Sequence, residues 1–208
     1  MAYVAFTKGM DGMALPPGSE NCVNVLYKDY DSTYQKVDTE GIAKVLSNVE
    51  KTEPDLVVAM LHWGSEFNDT ISKSQEKIVK ILKENGVDAI IGTHSHYVQK
   101  IDYDRATGNL IAYSLGDFFG DADRAGSEYS IILDVEVAKN NLTGKTTISG
   151  YSYTPIFTVS EPGKHLKVVR IQEAMKAHEE FYIDAVSKES YDKMKYALGR
   201  IEARVQGK

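Results

Sequence analysis

The first ninety residues alternate between short apolar runs and stretches in which apolar residues recur at helical spacing. Runs at residues 1–6, 56–61 and 87–91 predict strands, and the run at 56–61 is typical of a strand buried on both faces of a parallel sheet. Between the first two runs, a loop over residues 10–24 precedes a helical pattern that runs from Asp38 and is ended by Glu53 and Pro54. The apolar face of this helix consists of Ile42, Val45, Leu46 and Val49.

A second helix is predicted between the second and third strands. Ser72 and Gln75 have the spacing of an N-terminal capping box, and Asn85 with Gly86 predicts the end of the helix. Strand, helix and strand at this spacing form a βαβ unit, in which the two strands run parallel. Both strands therefore end at the same edge of the sheet.

The second half of the chain is predicted to add antiparallel strands and two helices. Residues 97–103 run back from that edge, turn through residues 104–108 and return as residues 110–115. Residues 128–138 and 146–159 alternate as a further hairpin. Two apolar stripes then predict helices that pack on the core: Ile171, Met175, His178 and Tyr182, followed by Met194, Leu198, Ile201 and Val205. We therefore expect an α/β domain over residues 1–160 and a helical appendage over residues 161–208.

Composition and charge argue against several classes of protein. The chain has 24 Lys and Arg against 30 Asp and Glu, a net charge of −6 and no basic run, which disfavours binding to nucleic acid or to anionic membranes. Cys22 is the only cysteine, so no intrachain disulfide or thiolate cluster forms. No apolar stretch approaches the roughly 18 residues of a membrane-spanning helix, and residues 1–6 do not resemble a signal peptide. We expect membrane association only through segments outside this chain.

Three of the five histidines follow strands of the predicted sheet. His62 comes directly after the second strand, and His94 and His96 come just after the third. Ligand and metal sites in open α/β sheets form beyond the carboxyl ends of the strands. We call this edge, where His62 and residues 92–96 lie, the rim, and expect the three imidazoles to converge there. Gly92 permits a sharp turn, and an extended chain from His94 to His96 places both rings on one side.

Three imidazoles at one edge suit a divalent metal ion such as manganese, iron or zinc. A metal held by neutral histidines lowers the pKa of a bound water, which then becomes the nucleophile of a hydrolysis. A lone histidine is more often a hydrogen-bonded core or rim residue, but three at one rim favour a metal site. The predicted ligands are His62, His94 and His96.

Four further residues near the rim are candidates for binding or catalysis. Glu66 is predicted to orient an imidazole or to transfer protons, and Asp117 to be a metal ligand or a polar brace. Either carboxylate fits equally well as the cap of a turn or helix. Gln99 can donate to a substrate oxygen or pair with the backbone. Trp63 is either an aromatic wall for a ligand or, more commonly for such a residue, part of the core.

Three motifs resemble the CapA-type family of poly-γ-glutamate capsule synthesis proteins. They are VVAMLHWGSE at residues 57–66, VDAIIGTHSHYVQ at residues 87–99 and LIAYSLGDF at residues 110–118. The resemblance implies a calcineurin-like metallophosphoesterase fold, a four-layer α/β sandwich, in proteins that assist capsule synthesis or export outside the cytoplasmic membrane. In that fold the histidine after the middle strand and the paired histidines complete a metal centre, which here implies His62, His94 and His96.

The chain departs from the family pattern in three respects. Ser95 stands where the family usually has proline, and Asp117 stands where it usually has asparagine. Nothing in residues 1–37 matches the half of the family domain that supplies the remaining metal ligands. The chain therefore resembles the C-terminal part of such a domain, and an exposed sheet edge would favour self-association or pairing with the missing half.

The leading hypothesis from the sequence is a CapA-like capsule biosynthesis or export protein with a metal-dependent hydrolase-type site, extracytoplasmic by resemblance. His62 and Glu66 are the predicted catalytic residues, and the reaction is hydrolysis or transfer at a phosphoester or amide-type bond. The alternative is a non-catalytic module with an incomplete metal site, which binds capsule polymer or an export partner. The expected ligand is capsule polymer or a small anionic substrate.

Overall fold

The structure is a computed structural model that describes residues 1–119, 124–182 and 185–208. The described residues form eight strands: β1 (Ala2–Thr7), β2 (Val57–His62), β3 (Ala89–Thr93), β4 (Ile101–Asp104), β5 (Asn109–Ala112), β6 (Tyr129–Lys139), β7 (Thr146–Val159) and β8 (Lys167–Arg170). They also form four helices: α1 (Thr39–Glu50), α2 (Lys73–Glu84), α3 (Ile171–Glu179) and α4 (Lys188–Val205).

The first sheet has five strands in the order β1-β2-β3-β5-β4. β1, β2, β3 and β5 run parallel, and β4 is antiparallel to β5. The predicted βαβ unit through β2, α2 and β3 is confirmed, as is the path that runs back through β4 and returns through β5. β4 begins at Ile101 and not at residue 97, because Val98 meets the returning chain only through an isolated bridge to Leu115.

Side-chain caps define where the first two helices begin. Asp38 accepts a hydrogen bond from the Gly41 N–H at the start of α1. Ser72 and Gln75 form the predicted capping box of α2, each side chain accepting from the backbone N–H of the other residue. The apolar faces of α1 and α2 pack on the first sheet, where they bury a core that includes Ile42 and Ile78. Caps and core together fix the helical layer on this sheet.

A second core joins both sheets to the C-terminal helices. The second sheet has the order β6-β7-β8 and is antiparallel. Its residues Tyr129 and Phe157 pack with Ile91 of β3 and with Met194 and Ile201 of α4. The α/β class, with stacked sheets and C-terminal helices, is therefore confirmed. β8 was not predicted, because it has only four half-buried or exposed residues and no clear alternation.

Helix α4 reaches the loops at the rim. Arg204, buried near the end of α4, donates from Nε to Asp69 Oδ2 at 3.3 Å. Its guanidinium carbon lies 4.4 Å from the ring centre of Tyr97, one residue after His96. Within the described ranges no helix is long and apolar enough to cross a membrane.

Candidate functional site

The rim forms where three parallel strands end side by side. In the strand register, Thr7 of β1 lies opposite His62 of β2, and His62 lies opposite Thr93 of β3. The residues that follow these strands, Lys8 and His94 among them, are therefore delivered to the same edge. The expectation that His62 and His94 meet at one rim is confirmed.

Close packing beneath the rim depends on Gly92 and Trp63. A Cβ atom at Gly92 would lie 1.9 Å from the Tyr113 carbonyl oxygen and 2.4 Å from Nε1 of Trp63. The Trp63 indole is fully buried, donates to that same carbonyl at 2.9 Å and stacks on the Tyr113 ring. The interpretation of Trp63 as an aromatic wall for a ligand is thus wrong, because its side chain is part of the core. Gly92 is required here for close approach and not for a turn.

His62 and His94 lie next to each other. Their ring centres are 4.3 Å apart, and the rings are tilted by 55°. Thr93 Oγ1 lies 3.2 Å from the Leu61 carbonyl, to which it donates, and 3.4 Å from Nδ1 of His62. The hydroxyl can then accept from His62 Nδ1–H, which leaves Nε2 of His62 with a free electron pair. Burial is the main cause that lowers the pKa of both histidines, and the pKa of His94 falls to about 4.

His96 turns to other partners. The backbone φ is +93° at His94 and +61° at His96, so the backbone here is not extended. The expectation of an extended chain between the two histidines is therefore wrong. Nδ1 of His96 donates to Asp117 Oδ2 at 2.8 Å, and the ring stacks on Phe67 with centres 4.5 Å apart. Of the two roles predicted for Asp117, the structure shows the polar brace.

Lys8 is the rim residue that the sequence analysis missed. Its ammonium nitrogen lies 3.0 Å from the Gly64 carbonyl oxygen and 3.3 Å from Nε2 of His94. It also lies 4.6 Å from the ring centre of Tyr34. Burial lowers the pKa of Lys8, while the charges of Glu66 and Asp11 act to raise it. The available signal was its place directly after β1, which the sequence analysis did not assign to a position in the sheet.

An open pocket of about 230 Å³ lies above these residues. We call it the rim pocket, and it is lined by Lys8, Gly9, Asp11, Tyr34, His62, Ser65, Glu66 and His94. Glu66 is exposed at this pocket. Its charge acts to raise the pKa of His62, but burial has the larger effect and the pKa is lowered overall. Gln99 is buried and donates from Nε2 to the Asn68 carbonyl at 2.8 Å. Of the two roles predicted for Gln99, the structure shows the hydrogen bond to the backbone.

The donors at the rim do not by themselves fit the predicted three-histidine metal centre. In the part of the chain that the structure describes, no group of three or more His, Cys, Asp or Glu side chains is arranged to hold a metal ion. His62 and His94 are adjacent, but the Lys8 ammonium faces Nε2 of His94 and His96 pairs with Asp117. The ligand set His62, His94 and His96 stays a prediction.

Fold and site together define an α/β protein whose parallel strands end in a histidine-containing pocket. Residues 1–122, which include Lys8, the three rim histidines and Asp117, match the family model described as bacterial capsule synthesis protein PGA_cap. The chain belongs to this family. The assignment from the three sequence motifs is therefore confirmed.

Two curated relatives share this part of the chain. The "PGA biosynthesis protein CapA" of Bacillus subtilis (strain 168) is 28% identical over 136 residues, which are 64% of this chain and 35% of the relative. The "Capsule biosynthesis protein CapA" of Bacillus anthracis is 33% identical over 91 residues, which are 44% of this chain and 22% of the relative. The matched region thus spans about a third or less of either relative.

A solved structure with some likeness is the calcineurin-like phosphoesterase YfkN from Bacillus subtilis. It is 12% identical and has a TM-score of 0.38, and the superposition covers 94% of this chain and 52% of that chain.

Proposed function

We propose that this chain takes part in the synthesis of a capsule of the poly-γ-glutamate type and that the rim pocket holds an anionic group of the polymer. Family membership supports the capsule role, and the names of the two Bacillus relatives refer to PGA and capsule biosynthesis. One observation carries the binding site: Lys8 presents a partly buried ammonium group beside two histidines in an open pocket.

Lys8 can bind an anionic oxygen without losing its present contacts. An ammonium group has three N–H donors. Two point to Gly64 and His94, and among the described residues the third has no hydrogen-bond acceptor, so it is left for a ligand. A charge-assisted hydrogen bond to a carboxylate is roughly twice as strong as one between neutral groups. Because Asp11 and Glu66 also line the pocket, we expect it to take one carboxylate or phosphate group and not a dense cluster of anions.

His62, beside Lys8, can accept a proton, whereas Nε2 of His94 already accepts from the Lys8 ammonium group. Burial lowers the pKa of His62 below the ordinary histidine value, which favours the uncharged imidazole. A neutral imidazole within reach of a bound amide or phosphoester is suited to act as a general base. Glu66, exposed at the same pocket, is suited to exchange protons with solvent.

Isothermal titration calorimetry with poly-γ-glutamate oligomers tests the binding site. We expect saturable binding to the unaltered chain and at least about tenfold weaker binding to Lys8→Met, which keeps the length of the side chain but removes its charge. Lys77→Met, at an exposed position of α2, is the matched control and should bind normally. Equal affinity in the Lys8 and Lys77 variants would contradict the proposal.

Metal-dependent hydrolysis is a second candidate function. The Asp117–His96 pair favours it, because a carboxylate that holds Nδ1–H leaves Nε2 as an electron donor, as is common in metal sites. Such a site needs ligands in addition to those that the described residues bring together. This candidate requires more bound manganese or zinc in the unaltered chain than in a His94→Ala, His96→Ala double variant. Equal metal content in both chains rules it out.

The proposed site of action is the cell surface, where a capsule is assembled. β1 is an edge strand, and Tyr3 on it is 69% exposed. An open edge of this kind can pair with a second copy of the chain or with another part of the protein. Light scattering of the purified chain over a range of concentrations distinguishes self-association from a monomer.

A further inference from the structure

We propose that Lys8 serves as a built-in cation of the rim, because its ammonium group takes up the electron pair of His94 that a metal ion would need. The inference goes beyond the proposed function, since it concerns what occupies His94 whatever the rim pocket binds. It also reverses the expectation from the sequence, in which His94 is a metal ligand.

The direction of the hydrogen bond between Lys8 and His94 follows from chemistry alone. A protonated lysine has three donors and no acceptor, so Nε2 of His94 must accept, at 3.3 Å. The ring proton of neutral His94 is therefore on Nδ1. The Nε2 electron pair, the one that would bind a metal, is directed to the ammonium group.

Two other contacts hold the ammonium group in this place. The Gly64 carbonyl accepts from it at 3.0 Å, and the Tyr34 ring centre lies 4.6 Å away. A cation over the face of an aromatic ring is attracted by the negative charge density of that face. The position of the Lys8 charge is thus fixed from three sides, by an imidazole, a carbonyl and a ring.

The surroundings of Lys8 have the chemistry of a cation site. Two carboxylates, Asp11 and Glu66, line the pocket together with His62 and His94. Imidazole and carboxylate together are a donor set that binds zinc and manganese. Without Lys8 this set would carry two negative charges and no cation. With Lys8, one of these charges is balanced and one imidazole is occupied.

Zinc titration of the Lys8→Met variant tests the inference. We expect calorimetry to show at least about tenfold tighter zinc binding to Lys8→Met than to the unaltered chain. The gain should disappear in a Lys8→Met, His94→Ala double variant, and Lys77→Met should bind like the unaltered chain. If the unaltered chain binds zinc as tightly as Lys8→Met does, the ion displaces the lysine and the inference is wrong.

A second measurement needs no substitution. Long-range ¹H–¹⁵N spectra of the unaltered chain near neutral pH report which ring nitrogen of each histidine carries the proton. We expect the Nδ1–H tautomer for His94, which is the less common form in solution, and no change of its signals on addition of zinc. The Nε2–H tautomer would overturn the inference even if Lys8→Met failed to fold. Since neither experiment uses the polymer, failure of the proposed function leaves these results interpretable.

Discussion

Nδ1 of His96 donates a hydrogen bond to Oδ2 of Asp117 at 2.8 Å. The same imidazole lies almost parallel to the Phe67 ring, at an angle of 6°. The guanidinium carbon of Arg124 in turn lies 4.0 Å from the ring centre of Phe67. Hydrogen bond and stacking together fix both the tautomer and the plane of His96, and they leave its Nε2 as an acceptor.

Removal of this carboxylate should release the His96 ring. We expect Asp117→Ala to shift His96 toward the Nε2–H tautomer, because no acceptor then holds Nδ1–H. The lost hydrogen bond should cost about 1 kcal/mol of unfolding free energy, since both side chains are only partly buried. Nitrogen chemical shifts and urea unfolding measure the two effects. Asp134→Ala, at an exposed position of β6, should change neither, and an unaltered His96 tautomer in Asp117→Ala would count against the brace.

Gly92 should not tolerate a side chain. The Tyr113 carbonyl oxygen, in the backbone one residue beyond β5, is only 1.9 Å from where a Cβ would lie. We expect Gly92→Ala to lower the unfolding free energy by about 1 to 3 kcal/mol. Gly199→Ala is the opposite control, because this exposed helical site has open space and should gain about 0.5 to 1 kcal/mol. A Gly92→Ala protein with unaltered urea midpoint would show that this packing is wrong.

The pKa of His94 predicts a pH dependence of stability. Burial, followed by the charges of His62 and Lys8, lowers that pKa to about 4, against 6.5 for the ordinary group. Between these two values the unfolded state binds more protons, so the contribution of His94 to stability falls as pH drops from about 6.5 to about 4. Above this window the contribution is constant. Proton NMR should show His94 titrating near pH 4.

A substitution isolates this contribution from the rest of the protein. His94→Gln should flatten the unfolding free energy between about pH 4 and pH 6.5. His165→Gln, at an exposed site outside the rim pocket, should keep the slope of the unaltered chain. A His94 titration midpoint near the ordinary value would disagree with a half-buried, lysine-paired imidazole.

Glu161 should make the start of α4 sensitive to acid. Its carboxylate accepts from Lys164 Nζ at 2.7 Å, from the Ser187 N–H at 2.8 Å and from Ser190 Oγ at 3.0 Å. These bonds, with that from Lys164 the largest cause, lower the pKa of Glu161 to about 2. The resulting stability is fully present above about pH 4.5, the ordinary value of the group, and is lost as pH falls toward 2.

Thermal unfolding between about pH 3 and pH 7 measures the Glu161 effect. Glu161→Gln should lower Tm by roughly 2 to 6 °C at neutral pH and by less in acid, because the unaltered carboxyl loses its advantage there. Glu189→Gln, whose exposed carboxylate pairs with Lys193 one turn away, should change Tm little. The same Tm loss in both variants would show that the Glu161 contacts are not special.

The strands that carry the histidines were predictable because their apolar runs and the helix between them are local signals. Parallel pairing then follows from the connection alone, and it places His62 and His94 together without any knowledge of side-chain packing. The capping box of α2 was visible for the same reason, since Ser72 and Gln75 lie three positions apart. These features depend on short stretches of chain.

The directions of the rings could not be read in the same way. His94 and His96 both adopt positive φ, which non-glycine residues rarely do. No pattern in the neighbouring sequence predicts this backbone conformation. Nor does a single lysine after a strand signal a site, because most lysines lie on the surface. Trp63 was ambiguous since its neighbours His62 and Gly64 are rim residues, while its own side chain points into the core.

The contact between Arg204 and Asp69 joins residues 135 positions apart. During translation the loop that carries Asp69, and Tyr97 beside the paired histidines, leave the ribosome long before Arg204 does. The β2-α2-β3 unit can assemble early from local contacts, but α4 can support these loops only after residue 204 has left the ribosome. In a nascent chain halted before residue 204, we therefore expect the β2-α2-β3 unit to be folded while the loops around His96 still lack their contacts with Arg204.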